Sequence, residues 1–72
     1  MRYILQKSKK QPEWWVLTDT ENQIVCQFKH GDFNGTQKFS PLRDIKDYDV
    51  TKLPTIVREM TDWLVKNHSD LI

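Results

Sequence analysis

The chain has one cysteine, two glycines and three prolines in 72 residues, no excess of either charge and no long apolar run. Each shortage excludes a class of protein. A lone Cys26 forms no internal disulfide, and a zinc site built on it needs histidine and carboxylate ligands from elsewhere. With Gly31 and Gly35 the only glycines, there is no glycine-rich loop to cradle a phosphate. The N-terminal MRYILQKSKK lacks an apolar stretch of signal-peptide length, and no segment approaches a membrane span. The expectation is a cytoplasmic chain with no membrane partner. Eleven Lys+Arg against ten Asp+Glu leave a formal charge of +1. That balance argues against nucleic-acid binding by bulk charge but leaves room for a local basic patch.

What is present is ordinary for a folded domain: 38% hydrophobic and 29% charged residues. Residues 1–72 read as a single domain, small enough to be marginal without a cross-link or an oligomer. The organising stretch is Glu13 to Lys29, EWWVLTDTENQIVCQFK, which reads as two strands joined by a polar turn. Arg2 to Lys7, rich in strand formers, precedes it as strand one. The loop Ser8 to Pro12 separates them, since Pro12 cannot donate to a ladder in mid-strand.

Strand two is expected over Glu13 to Thr18 and strand three over Ile24 to Lys29. Asp19-Thr20-Glu21-Asn22 suits a type I turn with Asn22 left-handed, a three-residue loop that pairs Asp19 with Gln23. That register sets Thr18 opposite Ile24, Val16 opposite Cys26 and Trp14 opposite Phe28. Ile24, Cys26 and Phe28 share a face with Trp14 and Val16, and Trp15, Leu17 and Val25 fall on the other. A slip of one residue exchanges the two faces. Both tryptophans and both flanking aliphatics are apolar, so the sheet has more apolar surface than one covering layer needs.

Asn34-Gly35 is a strong hairpin signal, so Thr36 to Phe39 is expected to return as a fourth, edge strand. Ser40-Pro41 then reads as an N-cap and first helical position, opening a single turn to about Lys46. From Leu53 to His68, the residues Leu53, Ile56, Val57, Met60, Trp63 and Leu64 recur at three- and four-residue steps. At about 100° per residue they form a stripe roughly 120° wide, with Pro54 harmless in the first turn. Trp63 is expected half-buried at the helix edge and Val65 exposed. The fold class is α+β: a three- to four-stranded antiparallel β-meander with one C-terminal amphipathic helix on one face. The expected core is Trp14, Val16, Ile24, Cys26 and Phe28 with Leu53, Ile56, Val57, Met60 and Leu64.

Candidate chemistry is sparse. His30 and Asp32 flank Gly31, but two ligands in a loop do not make a metal site. Asp44, Asp47 and Asp49 lack the glycine and distal glutamate of a calcium loop. Glu59 and Asp62 share a solvated helix face, with nothing to push their pKa values apart for acid–base work. Cys26 lies among apolar residues, where desolvation disfavours the thiolate. The expectation is therefore no catalytic residue, no metal and no cofactor.

A non-enzymatic interaction module is the first reading. Trp15, Leu17, Val25 and Tyr3 form its partner-binding surface, for another protein or for a second copy in a homodimer. A small chain of this kind suits an accessory or regulatory part, of the sort common on phages and plasmids. The alternative is a single-stranded nucleic-acid binder, with Arg2, Lys7, Lys9 and Lys10 beside the aromatic platforms Trp15 and Tyr3.

Overall fold

The computed structural model describes residues 1–72 and shows an α+β fold. Four strands, β1 (Tyr3–Lys7), β2 (Trp14–Asp19), β3 (Ile24–Lys29) and β4 (Lys38–Pro41), form an antiparallel sheet in the order β1-β2-β3-β4. The helix α2 (Leu53–Asn67) packs on one face of it, with a one-turn helix α1 (Phe33–Thr36) between β3 and β4. The meander and the long helix are those expected from the apolar periodicities.

The register of the central hairpin is not. Asp19 pairs with Ile24, Leu17 with Cys26 and Trp15 with Phe28, leaving a four-residue loop from Thr20 to Gln23. Trp15 and Leu17 therefore share the face of Ile24, Cys26 and Phe28, and Trp14 and Val16 lie on the opposite one. The cause is Asp19. Its fully buried carboxylate accepts the Glu21 and Asn22 amides at 3.1 and 3.0 Å and the Asn22 side-chain amide at 2.9 Å. Asn22 is thereby committed to the turn, and Gln23 takes the left-handed position at φ 57°. That conformation costs a non-glycine residue about 1–2 kcal/mol. Gln23 is held there by its own side-chain amide, which donates to the Thr20 carbonyl at 2.7 Å.

The core gathers Leu17, Ile24, Cys26, Phe28 and Phe33 from the sheet side with Ile56, Met60, Leu64 and Leu71 from the helix side. A side chain fully buried in this way contributes about 1.5–3 kcal/mol. Trp14 and Val16 are not among these residues, and Leu53 and Val57 are half-buried at the margin. Trp63 is half-buried and Val65 is 54% exposed, as the helical stripe predicts.

Two local expectations are corrected. Asn34-Gly35 does not turn a hairpin. The Asp32 carboxylate caps α1 by accepting the Gly35 amide, and the turn sets Phe33 edge-on to Phe28 at 5.2 Å. Ser40 and Pro41 end β4 rather than open a helix, and the short 3-10 turn that follows, Ile45–Asp47, is capped by Asp44. After α2, a last 3-10 turn (Ser69–Leu71) buries Leu71 and ties the C-terminus to the β3–α1 turn, the Gly31 amide donating to the Leu71 carbonyl at 2.8 Å.

Candidate functional site: the helix-free face of the sheet

The pairings sort every strand residue onto one face or the other. Tyr3, Leu5 and Lys7 of β1 oppose Asp19, Leu17 and Trp15, and Phe39 and Pro41 of β4 oppose Cys26 and Ile24, so all of them lie on the helix side. The opposite face is made by Ile4 and Gln6, by Trp14, Val16 and Thr18, by Val25, Gln27 and Lys29, and by Lys38 and Ser40. None of these residues is buried. The connector does not reach them either: Phe39 and Tyr48 pack against the helix-side core, and Leu42, Ile45 and Val50 are exposed.

Two rows on this face differ in chemistry. Ile4, Thr18, Val25 and Ser40 run across the sheet as an uncharged row in which aliphatic and hydroxyl side chains alternate. Beside them run Gln6, Val16, Gln27 and Lys38, and then the pair Trp14 and Lys29. The loop after β1 is folded by Ser8, whose Oγ accepts the Lys10 and Gln11 amides at 3.3 and 3.2 Å. It rises to wall a shallow basin of about 580 Å³ over Gln6, Val16 and Gln27, lined also by Lys9 and Lys10. The four strands carry a single carboxylate, Asp19, and it lies on the helix side. The open face is thus uncharged at one end, carries lysines together with Val16 and Trp14 toward the other, and is free of strand carboxylates.

The residues singled out from the sequence are divided by the register. Val25 is on the open face, half-buried. Leu17 is fully buried in the core, so its assignment to an open face is overturned. Trp15 is on the helix side, its indole 6.5 Å from the His30 ring and under the Lys7 ammonium at 5.7 Å, with its buried Nε1–H unpaired. Tyr3 stacks on Trp63 at 5.2 Å, also on the helix side. Of the cations, Lys9 and Lys10 stand exposed on the rim, and Lys7 is turned to the other face. Arg2 is occupied: its guanidinium reaches Asp19 and Glu59 at 3.1 Å each, linking the N-terminus to α2. Those two carboxylates hold the Arg2 pKa above its usual range, against the opposing effect of burial.

The register misplaced one group that matters on the open face, Trp14; Lys29 falls there with Val25 and Gln27 as the alternation of strand three predicts, and nothing in the periodicity singled out Lys38. Reading Asp19 as a buried turn acceptor would have shifted the register and brought Trp14 out. Elsewhere, burial pushes the Cys26 thiol up to about 12, which suits a core filler rather than a nucleophile. No group of three or more His, Cys, Asp or Glu side chains converges, and no helix is long and apolar enough to cross a membrane. No protein-family model matches the chain, and no curated protein or solved structure matches it significantly.

Proposed function

We propose that the chain is a small non-enzymatic interaction module whose contact surface is the helix-free face of its sheet. The observation that carries this reading is the composition of that face. Ile4, Trp14, Val16 and Val25 lie on it with no covering layer from the chain's own 72 residues. A contiguous apolar patch edged by polar groups is the usual mark of a contact surface. Tryptophan is enriched among the anchors of such surfaces. Lys29, Lys38, Lys9 and Lys10 around it, with no strand carboxylate on that face, favour a partner protein that presents acidic side chains around an apolar anchor.

A second reading is supported by the basin under the Ser8–Gln11 loop. Lys9 and Lys10 on its wall, the amides of Gln6 and Gln27 on its floor and Trp14 on the same face combine cations with an aromatic platform. Single-stranded nucleic acid is bound by surfaces of this kind.

The two readings separate in one set of measurements. Capture of partners from the source cell is expected with the native chain and lost with Trp14→Ser/Val25→Ser, which leaves the core intact. In parallel, binding to labelled single-stranded oligonucleotides is measured at two salt concentrations. Affinity that falls steeply with salt and with Lys9→Ala/Lys10→Ala establishes the second reading. A chain that binds neither protein nor oligonucleotide through residues of the open face refutes both.

A further inference from the structure

The open face is one unsatisfied surface; the free border of β1 is another, of a different kind. In β1 the peptide groups alternate between facing β2 and facing away. The Thr20 amide donates to the Arg2 carbonyl at 2.7 Å and the Ser8 amide to the Trp14 carbonyl at 2.8 Å, so the even-numbered residues of β1 face β2. The N–H and C=O groups of Tyr3, Leu5 and Lys7 therefore point outward along the border, and no group of the chain bonds to them. The other border of the sheet is blunted. Of the residues of β4 whose peptide groups face away from β3, Phe39 and Pro41, the second has no amide proton. Next to β1 lies a cleft of about 530 Å³, mostly apolar, bounded by Leu5, Tyr3 and Trp15 on the sheet and by Trp63 and Leu71 on the helix side.

We propose that β1 pairs antiparallel with β1 of a second copy of this chain, about a two-fold axis at Leu5. Only that register overlaps the whole strand. It sets Leu5 against the partner's Leu5, and Tyr3 against the partner's Lys7, with each outward N–H meeting an outward C=O. The strand is complementary to itself in side chains as well as backbone. Leucine meets leucine at the mouth of the apolar cleft, and an ammonium meets a phenol ring twice. Both cations near these rings already make such contacts within one chain, Arg2 over Tyr3 at 4.9 Å and Lys7 over Trp15 at 5.7 Å. No two charged residues of β1 are directly opposed, and the Arg2 guanidinium over Tyr3 is already neutralised by Asp19 and Glu59. The two helices lie on the same side of the joined sheet, so the two helix-free faces also become continuous, and the dimer stands or falls independently of what binds there.

The oligomeric state of the full chain tests this, by light scattering across a concentration series, with Leu5→Pro and Leu5→Lys as variants. Proline removes the central outward amide, and lysine opposes like charges on the axis. Neither takes a hydrogen bond from the β1–β2 ladder. The expected result is twice the monomer mass for the native chain and a folded monomer for both variants, judged by an unchanged helical circular dichroism signal. Hydrogen exchange of the native chain keeps the test decisive even if a variant unfolds. The Tyr3, Leu5 and Lys7 amides are expected to gain protection as concentration rises, while exposed loop amides do not. A native chain that stays monomeric with those amides exchanging freely overturns the proposal. So does a dimer broken by Trp14→Ser but not by Leu5→Pro, which places the contact on the open face. Protection of these amides that appears only when another protein is added assigns the border to a foreign strand, and overturns it equally.

Discussion

Asparagine is nearly isosteric with aspartate, so Asp19→Asn isolates the charge that fixes the central turn. One oxygen of Asp19 takes the Glu21 and Asn22 backbone amides; the other takes the Asn22 side chain at 2.9 Å and Arg2 at 3.1 and 3.3 Å. Whichever way the new amide is oriented, its NH2 group faces donors. Hydrogen bonds to a charged group are worth about 1.5–3 kcal/mol each, and breaking a buried pair costs about 3–5 kcal/mol. Arg2 keeps Glu59 and a side-chain exposure of 28%, so it is not stranded. The low end therefore applies, about 3 kcal/mol. A chain of 72 residues has a total stability of about 4–11 kcal/mol, so the loss is a large fraction of it. The expected fall in Tm is about 12–24 °C. Urea denaturation followed by circular dichroism measures the loss, and a double-mutant cycle with Arg2→Ala isolates the ion pair, with an expected coupling of about 1–2 kcal/mol. A loss under about 1 kcal/mol, within the range of an ordinary surface change, would refute the role given to Asp19 in setting the register.

The same carboxyl sets an acid limit. Burial pushes its pKa up, but hydrogen bonds from Asn22 and Arg2 outweigh that and hold it below the usual carboxylate range. A depressed folded pKa contributes stability that is complete above the unfolded value and lost as pH falls through the folded one. The urea midpoint is therefore expected to hold from neutral pH to about 4 and to drop below it, with a smaller drop in Asp19→Asn. The two adjacent tryptophans are expected to behave oppositely: Trp15→Ser costs about 3 kcal/mol in chemical denaturation, and Trp14→Ser less than about 1. Equal costs would contradict the register. Met60→Ala, in a fully buried site, is expected to cost about 2–5 kcal/mol in the same assay. Cys26 is expected to resist a thiol reagent in the native state and to react at the rate of unfolding; prompt labelling at neutral pH contradicts its burial.

The sheet order and the helix were legible because each rests on a periodicity that polar residues interrupt. Strand three alternates cleanly, and the helix stripe is bounded by Thr55, Arg58, Glu59 and Asp62. The hairpin register was not legible, because Trp14, Trp15, Val16 and Leu17 are all apolar and either parity makes a plausible core face. What decides between them is long-range: Arg2, seventeen residues away, neutralises a carboxylate buried at the strand end. Local propensity favoured Asn22 over Gln23 for the left-handed position, and the bonds from Asn22 to Asp19 overrode it. Phe33 was hidden in the same way, since Asn34-Gly35 signals a hairpin until Asp32 is seen to cap a helical turn. Of Trp15, Leu17 and Val25, expected together on the open face, the register leaves only Val25 there and brings Trp14 to the same face in their place.

Pro41 has a consequence for how far self-association can run. A ribbon with one receptive side and one blunt side cannot recruit a third member, because two chains joined through their receptive sides turn only blunt ones outward. In the proposed pairing, growth is therefore expected to close at a pair. A ring closed onto a backbone nitrogen leaves the Phe39 amide as the one outward donor within β4, a poor template for the open-ended accretion by which free sheet borders seed fibrils.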